Sequence, residues 1–134
     1  MTSSRKYRVL LVDDEPSLLV TYRLLLEREG YEVVACGTSR EAIAAVQDQK
    51  FDILLCDYYL EEHHTGFEVV AAARQSDPNI PAAVLTGFAP RETYEQAANQ
   101  GVVVMHKGVA IPEFLAKTSA MLKKNKGPSE PGSG

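Results

Sequence analysis

Three aspartates and a lysine stand where apolar runs end. Asp13 and Asp14 follow Val9-Leu10-Leu11-Val12, Asp57 follows Ile53-Leu54-Leu55-Cys56, and Lys107 follows Val102-Val103-Val104-Met105 with His106 between. Runs of this kind, without clean polar alternation, read as strands covered on both faces. Each charge then sits at the C-terminal mouth of a buried strand, the edge where an open parallel sheet binds its ligands. Carboxylates gathered there repel one another, by roughly 4 kcal/mol per pair at 4 Å and an effective dielectric of 20. The cluster therefore needs a compensating cation, and the candidates are a divalent metal with oxygen ligands and an ammonium such as Lys107.

The elements that must position these residues alternate strand and helix five times. Strands are predicted over Tyr7–Val12, Tyr31–Ala35, Asp52–Cys56, Ala82–Thr86 and Val102–Met105, and helices over Pro16–Glu29, Thr38 to about Gln49, Gly66–Gln75, Pro90–Asn99 and Pro112–Lys124. Pro16 suits a first helical position and Gly30 a C-terminal cap. Thr38-Ser39-Arg40-Glu41 reads as a capping box. Apolar stripes at helical spacing are Leu18, Leu19, Tyr22, Leu25 and Leu26 in the first helix, Ala42, Ile43, Ala45 and Val46 in the second, and Phe114, Leu115, Met121 and Leu122 in the last. Five such βα units imply a doubly wound parallel sheet with helices on both sides.

With 134 residues, 45% hydrophobic and 24% charged, the chain has the size and composition of one soluble globular domain. A net charge of -4 argues against nucleic-acid binding through the domain as a whole. No stretch approaches the roughly 18 apolar residues of a membrane span. The polar start, Met1–Lys6, and the short apolar run cut by Asp13 do not make a signal-peptide core, so the expected compartment is the cytoplasm. Residues 1–5 read as a tail and 6–124 as the domain. Residues 125–134, which hold Gly-Pro-Ser-Glu-Pro-Gly-Ser-Gly, read as a disordered tail, a linker or a cloning scar. Cys36 and Cys56 end strands expected to have a third between them, about 9–10 Å apart, beyond disulfide reach, and are read as buried thiols.

Taken together, Asp13-Asp14 after the first strand, Asp57 after the third, Thr86 after the fourth and Lys107 after the fifth resemble the receiver domain of two-component response regulators, over about residues 6–124. The resemblance implies a flavodoxin-like (βα)5 fold with strand order 2-1-3-4-5. It implies that Asp57 accepts a phosphoryl group from a histidine kinase or a histidine phosphotransfer protein. Mg2+ would be held by Asp14, Asp57 and the Tyr59 backbone carbonyl, and by Asp13 through water. Lys107 would pair with Asp57 and then with the phosphoryl group, Thr86 would turn its hydroxyl onto a phosphoryl oxygen, and Gly87 would lie in the same phosphate-binding turn. Signalling would pass through the face made by the fourth helix, fifth strand and fifth helix, in a monomer or weak homodimer that is not itself an enzyme. The chemistry fits: a carboxylate attacks phosphorus only if a cation neutralises the phosphoryl oxygens, and Mg2+ takes one or two carboxylates and keeps several waters.

The chain departs from the family pattern in four places. Val104 stands where an aromatic usually rotates inward, Gly108 follows Lys107 where proline is usual, and Glu61 replaces the usual proline four after the phosphoacceptor. The loop Leu60–Gly66 is one residue longer than in typical receivers, a form that resembles receivers working with hybrid histidine kinases. These features favour a phosphorelay or single-domain role. Tyr59 and Phe88 occupy the positions that tune phosphoryl lifetime, and two large side chains there predict slow self-dephosphorylation.

Blander readings stand beside these. Asp13-Asp14 before Pro16 suits a helix N-terminus, His63-His64 suits a solvated loop, His106 a cover for the sheet edge, and Tyr58 and Tyr59 partly exposed covers of the site. Lys123-Lys124-Asn125-Lys126 suits a solvated helix end. The competing functions are a degenerate receiver used as a phosphorylation-independent interaction module and an aspartate-nucleophile phosphatase. The phosphatase places its two acids two apart, whereas Asp13 and Asp14 are adjacent. A flavodoxin would need a Ser/Thr/Gly-rich phosphate loop where this chain has Asp13-Asp14-Glu15.

Overall fold

A computed structural model describes residues 6–124; the expected tails 1–5 and 125–134 lie outside the described residues. Five strands, β1 (Arg8–Val12), β2 (Glu32–Cys36), β3 (Ile53–Asp57), β4 (Ala82–Thr86) and β5 (Val103–His106), alternate with five helices, α1 (Pro16–Arg28), α2 (Ser39–Asp48), α3 (Gly66–Arg74), α4 (Arg91–Gln100) and α5 (Ile111–Lys123). All neighbouring strands are parallel, in the order β2-β1-β3-β4-β5. This is the flavodoxin-like arrangement.

Successive side chains of a strand leave opposite faces, so each run feeds two cores. Leu10, Val12, Leu54, Cys56 and Val84 pack with Val46 of α2, Phe67 and Val70 of α3 and Ala97 of α4. Val9, Leu11, Ile53, Leu55, Leu85 and Met105 pack with Leu26 of α1 and Phe114 and Leu122 of α5. Every residue of β3 and β4 is buried. The edge strands β2 and β5 are only partly covered, with Val103 exposed, because each lacks a neighbour on one side. In α1 the expected stripe is graded: Leu26 is buried, Leu19 and Tyr22 pack against the core, and Leu18 and Leu25 stay half-buried.

Several local expectations shift: β2 runs over Glu32–Cys36 instead of Tyr31–Ala35, and β3 over Ile53–Asp57 instead of Asp52–Cys56, so that Asp57 is itself the last strand residue, paired with Leu85. β5 runs to His106 instead of Met105, which pairs His106 with Thr86 and leaves Lys107 as the first residue past the strand. At α2 the Thr38 hydroxyl accepts the Glu41 N–H at 3.0 Å, but Glu41 returns its bond to the Gly37 N–H at 2.9 Å, not to Thr38. Val12 pairs with both Cys36 and Cys56, so the two thiols are buried, free and separated by β1. Burial raises the pKa of both, that of Cys36 to about 11. Among the described residues no helix is long and apolar enough to cross a membrane.

Candidate functional site

The strand order brings the mouths of β1 and β3 side by side, with that of β5 beyond β4. Asp13 is carried there by its N–H bond to the Cys36 carbonyl (3.1 Å), and Lys107 by its N–H bond to the Thr86 carbonyl (2.8 Å). Oxygens of Asp13, Asp14 and Asp57 lie within 4.8 Å of one another. The Lys107 ammonium reaches between them, 3.2 Å from Asp13 Oδ2 and 3.1 Å from Asp57 Oδ2. Gly108 takes φ +89°, a left-handed value that suits glycine directly after the lysine.

Burial separates the acids. Asp13 is fully buried and Asp57 is 7% exposed, whereas Asp14 is exposed. Helix capping does not consume the pair: the N-cap of α1 is Glu15, whose carboxylate accepts from Leu18 N–H and the Ser17 hydroxyl. Asp13 Oδ1 accepts the Glu15 N–H at 2.9 Å, which fixes the carboxylate's orientation. Asp13 Oδ2 is buried, and the Lys107 ammonium stands 3.2 Å from it.

Burial raises the Asp57 carboxyl, to about 6, and the Asp13 charge adds to the rise; the Lys107 ammonium opposes it. Burial likewise opposes the Lys107 charge, but the carboxylates of Asp57 and Asp13 outweigh it and hold the ammonium above the usual lysine range. Three carboxylates against one ammonium leave two negative charges. That excess, on carboxylate oxygens gathered within 4.8 Å of one another, fits a divalent cation with oxygen ligands. All-oxygen donors suit Mg2+ better than a soft metal.

The remaining predicted residues lie around this cup in different states. The Thr86 hydroxyl is turned into its own loop: it donates to the Phe88 carbonyl at 2.7 Å and accepts the Phe88 N–H at 3.2 Å. Gly87 and Phe88 are exposed, Phe88 at 79%. Tyr59 is exposed, at 59%, while Tyr58 is half-buried and packs edge-on to Phe67 and Tyr59. Val104 packs partly into the core beside α4 and offers no ring to rotate. The aromatic link between α4 and β5 is instead Tyr94, whose hydroxyl lies 2.8 Å from Nε2 of exposed His106. His63 is exposed, and His64 pairs with Glu68 at 2.7 Å.

Two residues at the site carried no functional signal in the sequence reading. Gly66, expected only as a helix start, presses on the Asp57 backbone: a Cβ there would stand 2.6 Å from the Asp57 carbonyl oxygen and 3.0 Å from Cys56 Cβ. Glu61, noted only as a missing proline, accepts from the backbone N–H and hydroxyl of buried Ser39 at the start of α2. A glycine or glutamate in a polar loop does not advertise such long-range contacts. Between them, Glu62 and His63 hold φ of 51° and 68°. Left-handed backbone in non-glycine residues costs about 1–2 kcal/mol each, so the loop is held against a local preference.

Residues 9–118 match the family model described as the response regulator receiver domain. The chain is 36% identical over 102 residues to the alginate biosynthesis transcriptional regulatory protein AlgB of Pseudomonas aeruginosa, covering 76% of this chain and 22% of AlgB. It is 30% identical over 95 residues to the transcriptional regulatory protein ZraR of Escherichia coli, covering 71% of this chain and 21% of ZraR. The chain thus spans about a fifth of the length of these curated relatives. Among solved structures, a CheY-like response regulator receiver domain protein from Methanospirillum hungatei superposes with a TM-score of 0.85 at 28% identity, over 91% of this chain and 98% of that one.

Proposed function

We propose, for a chain that belongs to the response regulator receiver domain family, that Asp57 is the phosphoacceptor of a two-component or phosphorelay switch. The observation that carries this reading is the Lys107 ammonium held between the Asp13 and Asp57 carboxylates at 3.2 and 3.1 Å, at the C-terminal edge of the sheet. A histidine kinase or histidine phosphotransfer protein is the donor. An Asp57 carboxylate oxygen attacks the phosphorus of a phosphohistidine; the new P–O bond forms as the P–N bond breaks, and the imidazole leaves with the electron pair.

Asp14 and Asp57, the Tyr59 carbonyl and, through water, Asp13 are the residues that would hold Mg2+. When bound, the ion neutralises phosphoryl oxygens that three acids would otherwise repel. Lys107 already faces Asp57, and its flexible stem lets the ammonium follow the arriving phosphoryl charge. Thr86 exchanges its bond to the Phe88 carbonyl for one to a phosphoryl oxygen, which moves the turn containing Gly87 and Phe88 and so the face of α4, β5 and α5.

In this role the domain is a cytoplasmic signalling switch, a monomer or weak homodimer, with no more enzymatic activity than slow self-dephosphorylation. It contacts proteins, not nucleic acid. AlgB and ZraR are transcriptional regulatory proteins. They lend no support to a stand-alone phosphorelay carrier over a receiver that serves an effector, so the output is placed at the α4–β5–α5 face without choosing between them. The degenerate-receiver and phosphatase readings are not favoured.

The test is mass spectrometry after incubation with acetyl phosphate or phosphoramidate. A gain of one phosphoryl group that requires Mg2+ and disappears in Asp57→Asn is expected. An unmodified wild type overturns the reading.

A further inference from the structure

The loop between β3 and α3 is anchored from outside itself. Glu61 stands four residues past Asp57, and both of its carboxylate oxygens lie 2.9 Å from the Ser39 N–H, with the Ser39 hydroxyl donating to Oε2 at 2.5 Å. Ser39 is the first residue of α2 and is 3% exposed. A helix start leaves backbone N–H groups without partners and carries positive partial charge. At α2 the Thr38 hydroxyl satisfies the Glu41 N–H, and Glu61, 22 residues further along the chain, satisfies Ser39. Burial opposes the Glu61 charge, yet the Ser39 donors outweigh it and hold the carboxyl below its usual range.

This anchor sits at a sensitive point. Tyr59 precedes it by two residues, paired with Thr65 by a single bridge, and Leu60 between them is buried. Directly after it, Glu62 and His63 hold left-handed backbone. Without Glu61, the stretch from 59 to 64 keeps only its own short-range ties, the bridge to Thr65, the Leu60 N–H bond to the His64 carbonyl and the burial of Leu60, to set the main chain at Tyr59. In typical receivers a proline would stiffen this position; here a long-range carboxylate contact takes its place.

We infer that Glu61 is a positioning residue for the cation: by docking on the start of α2 it holds the main chain of Tyr59 at the mouth of β3, and so sets the affinity for Mg2+. The inference rests on the proposed reading of the Tyr59 carbonyl as a metal ligand. It makes α2 part of the site's support although no α2 side chain belongs to the acidic cluster. Outer-shell contacts of this kind are worth about 10–100-fold in metal affinity.

The experiment is calorimetric titration of metal-stripped protein with MgCl2 for wild type, Glu61→Ala, Glu61→Gln, Glu62→Ala and Thr38→Ala, with the melting temperature of each. Glu62→Ala removes the same charge one residue away, and Thr38→Ala weakens α2 without releasing the loop. Glu61→Ala is expected to weaken Mg2+ binding about tenfold. Glu61→Gln, which still accepts from Ser39, should fall between it and wild type. Glu62→Ala and Thr38→Ala should stay within about twofold, even where Thr38→Ala melts lower. Equal weakening by Glu61→Ala and Glu62→Ala reduces the effect to bulk charge and overturns the inference, as does wild-type affinity in Glu61→Ala. Absence of Mg2+ binding by the wild type overturns the metal reading itself and the inference with it. Should Glu61→Ala unfold, Glu61→Gln against Glu62→Ala decides: an affinity for Glu61→Gln no lower than for Glu62→Ala counts against positioning.

Discussion

Two loops leave the sheet beside Asp57, and they are built on opposite principles. The loop after β3 is tied down at several points: Leu60 is buried, its N–H bonds the His64 carbonyl, Gly66 N–H bonds the Tyr58 carbonyl, and Glu61 reaches α2. The loop after β4 has exposed Gly87 and Phe88, and the side-chain bond that shapes it spans only two residues, Thr86 to Phe88. One loop is fixed by contacts that include one distant in sequence, and the other by two local Thr86–Phe88 bonds worth about 0.5–1.5 kcal/mol net each. A switch needs both: a fixed wall that keeps the acids in place, and a segment whose alternative conformation lies within reach of a small perturbation.

The glycines of the two loops give the largest expected contrast. Gly66→Ala places a methyl 2.6 Å from a backbone oxygen that cannot rotate away, so it should cost about 3 kcal/mol in urea unfolding. A Cβ at Gly87 meets nothing within 4 Å, and Gly87→Ala should stay within about 0.5 kcal/mol. Equal losses at both positions would erase the distinction between a fixed and a free loop.

The fixed wall also stores electrostatic cost. Burial raises the folded-state pKa of Asp57 to about 6 from a usual value near 3.8. Between those values the folded protein binds more protons than the unfolded chain, so this group's contribution makes stability fall as pH rises from about 4 to about 6, and level off above. Asp57→Asn removes the charge and should stabilise the metal-free protein at pH 7.5 by about 2 kcal/mol, an advantage that vanishes near pH 4. In MgCl2 the order should reverse, since the wild type gains binding energy that the variant lacks. Urea titrations at both pH values, with chelator and with Mg2+, measure each arm.

Much of the wall was legible in the sequence because it rests on local rules. Apolar runs ending in Asp13, Asp57 and Lys107 marked strand mouths, and Pro16 and Gly30 marked the ends of the first helix. The receiver resemblance then supplied the strand order, which composition alone does not. What escaped was long-range or rotameric. The reciprocal half of the Thr38 capping box went to Gly37 because Glu41 reaches that N–H, and spacing rules do not resolve one residue from the next. β2, β3 and β5 each ended one residue late because pairing with their neighbours carries them to Cys36, Asp57 and His106. The contacts of Glu61 and Gly66 depend on α2 and the β3 backbone lying nearby, which no window along the chain contains.

The free loop is broken more gently. Thr86→Val keeps the shape but removes the hydroxyl that bonds Phe88, and should cost about 1 kcal/mol. The aspartyl-phosphate should still form, since Asp57, Asp14 and Lys107 are untouched. The change it transmits should be lost: amide NMR shifts of residues 87–90 on phosphorylation should shrink in Thr86→Val and return in Thr86→Ser. Full-sized shifts in Thr86→Val would remove the hydroxyl from the switch.

The smallest effect on the fold falls where the two loops face outward. Tyr59 and Phe88 are 59% and 79% exposed, so truncating either should change stability by less than about 0.5 kcal/mol. They stand on opposite loops beyond the paired Asp57 and Leu85, at the positions that the receiver resemblance implies should tune phosphoryl lifetime. An attacking water must approach the phosphorus in line with the Asp57 oxygen, and large side chains on the two loops that leave the sheet there would obstruct it. The expected wild-type lifetime is therefore long, minutes or more, and Tyr59→Ala or Phe88→Ala should shorten it severalfold while leaving the rate of phosphorylation by acetyl phosphate nearly unchanged. Tyr59 sits on the anchored loop and Phe88 on the free one. If shielding requires a side chain held in place, Tyr59→Ala should shorten the lifetime more than Phe88→Ala, and a mass-spectrometric decay series on both variants ranks them. A wild-type half-life of seconds, or a larger loss at Phe88, would mean that the free loop, not the fixed one, guards the phosphoryl group.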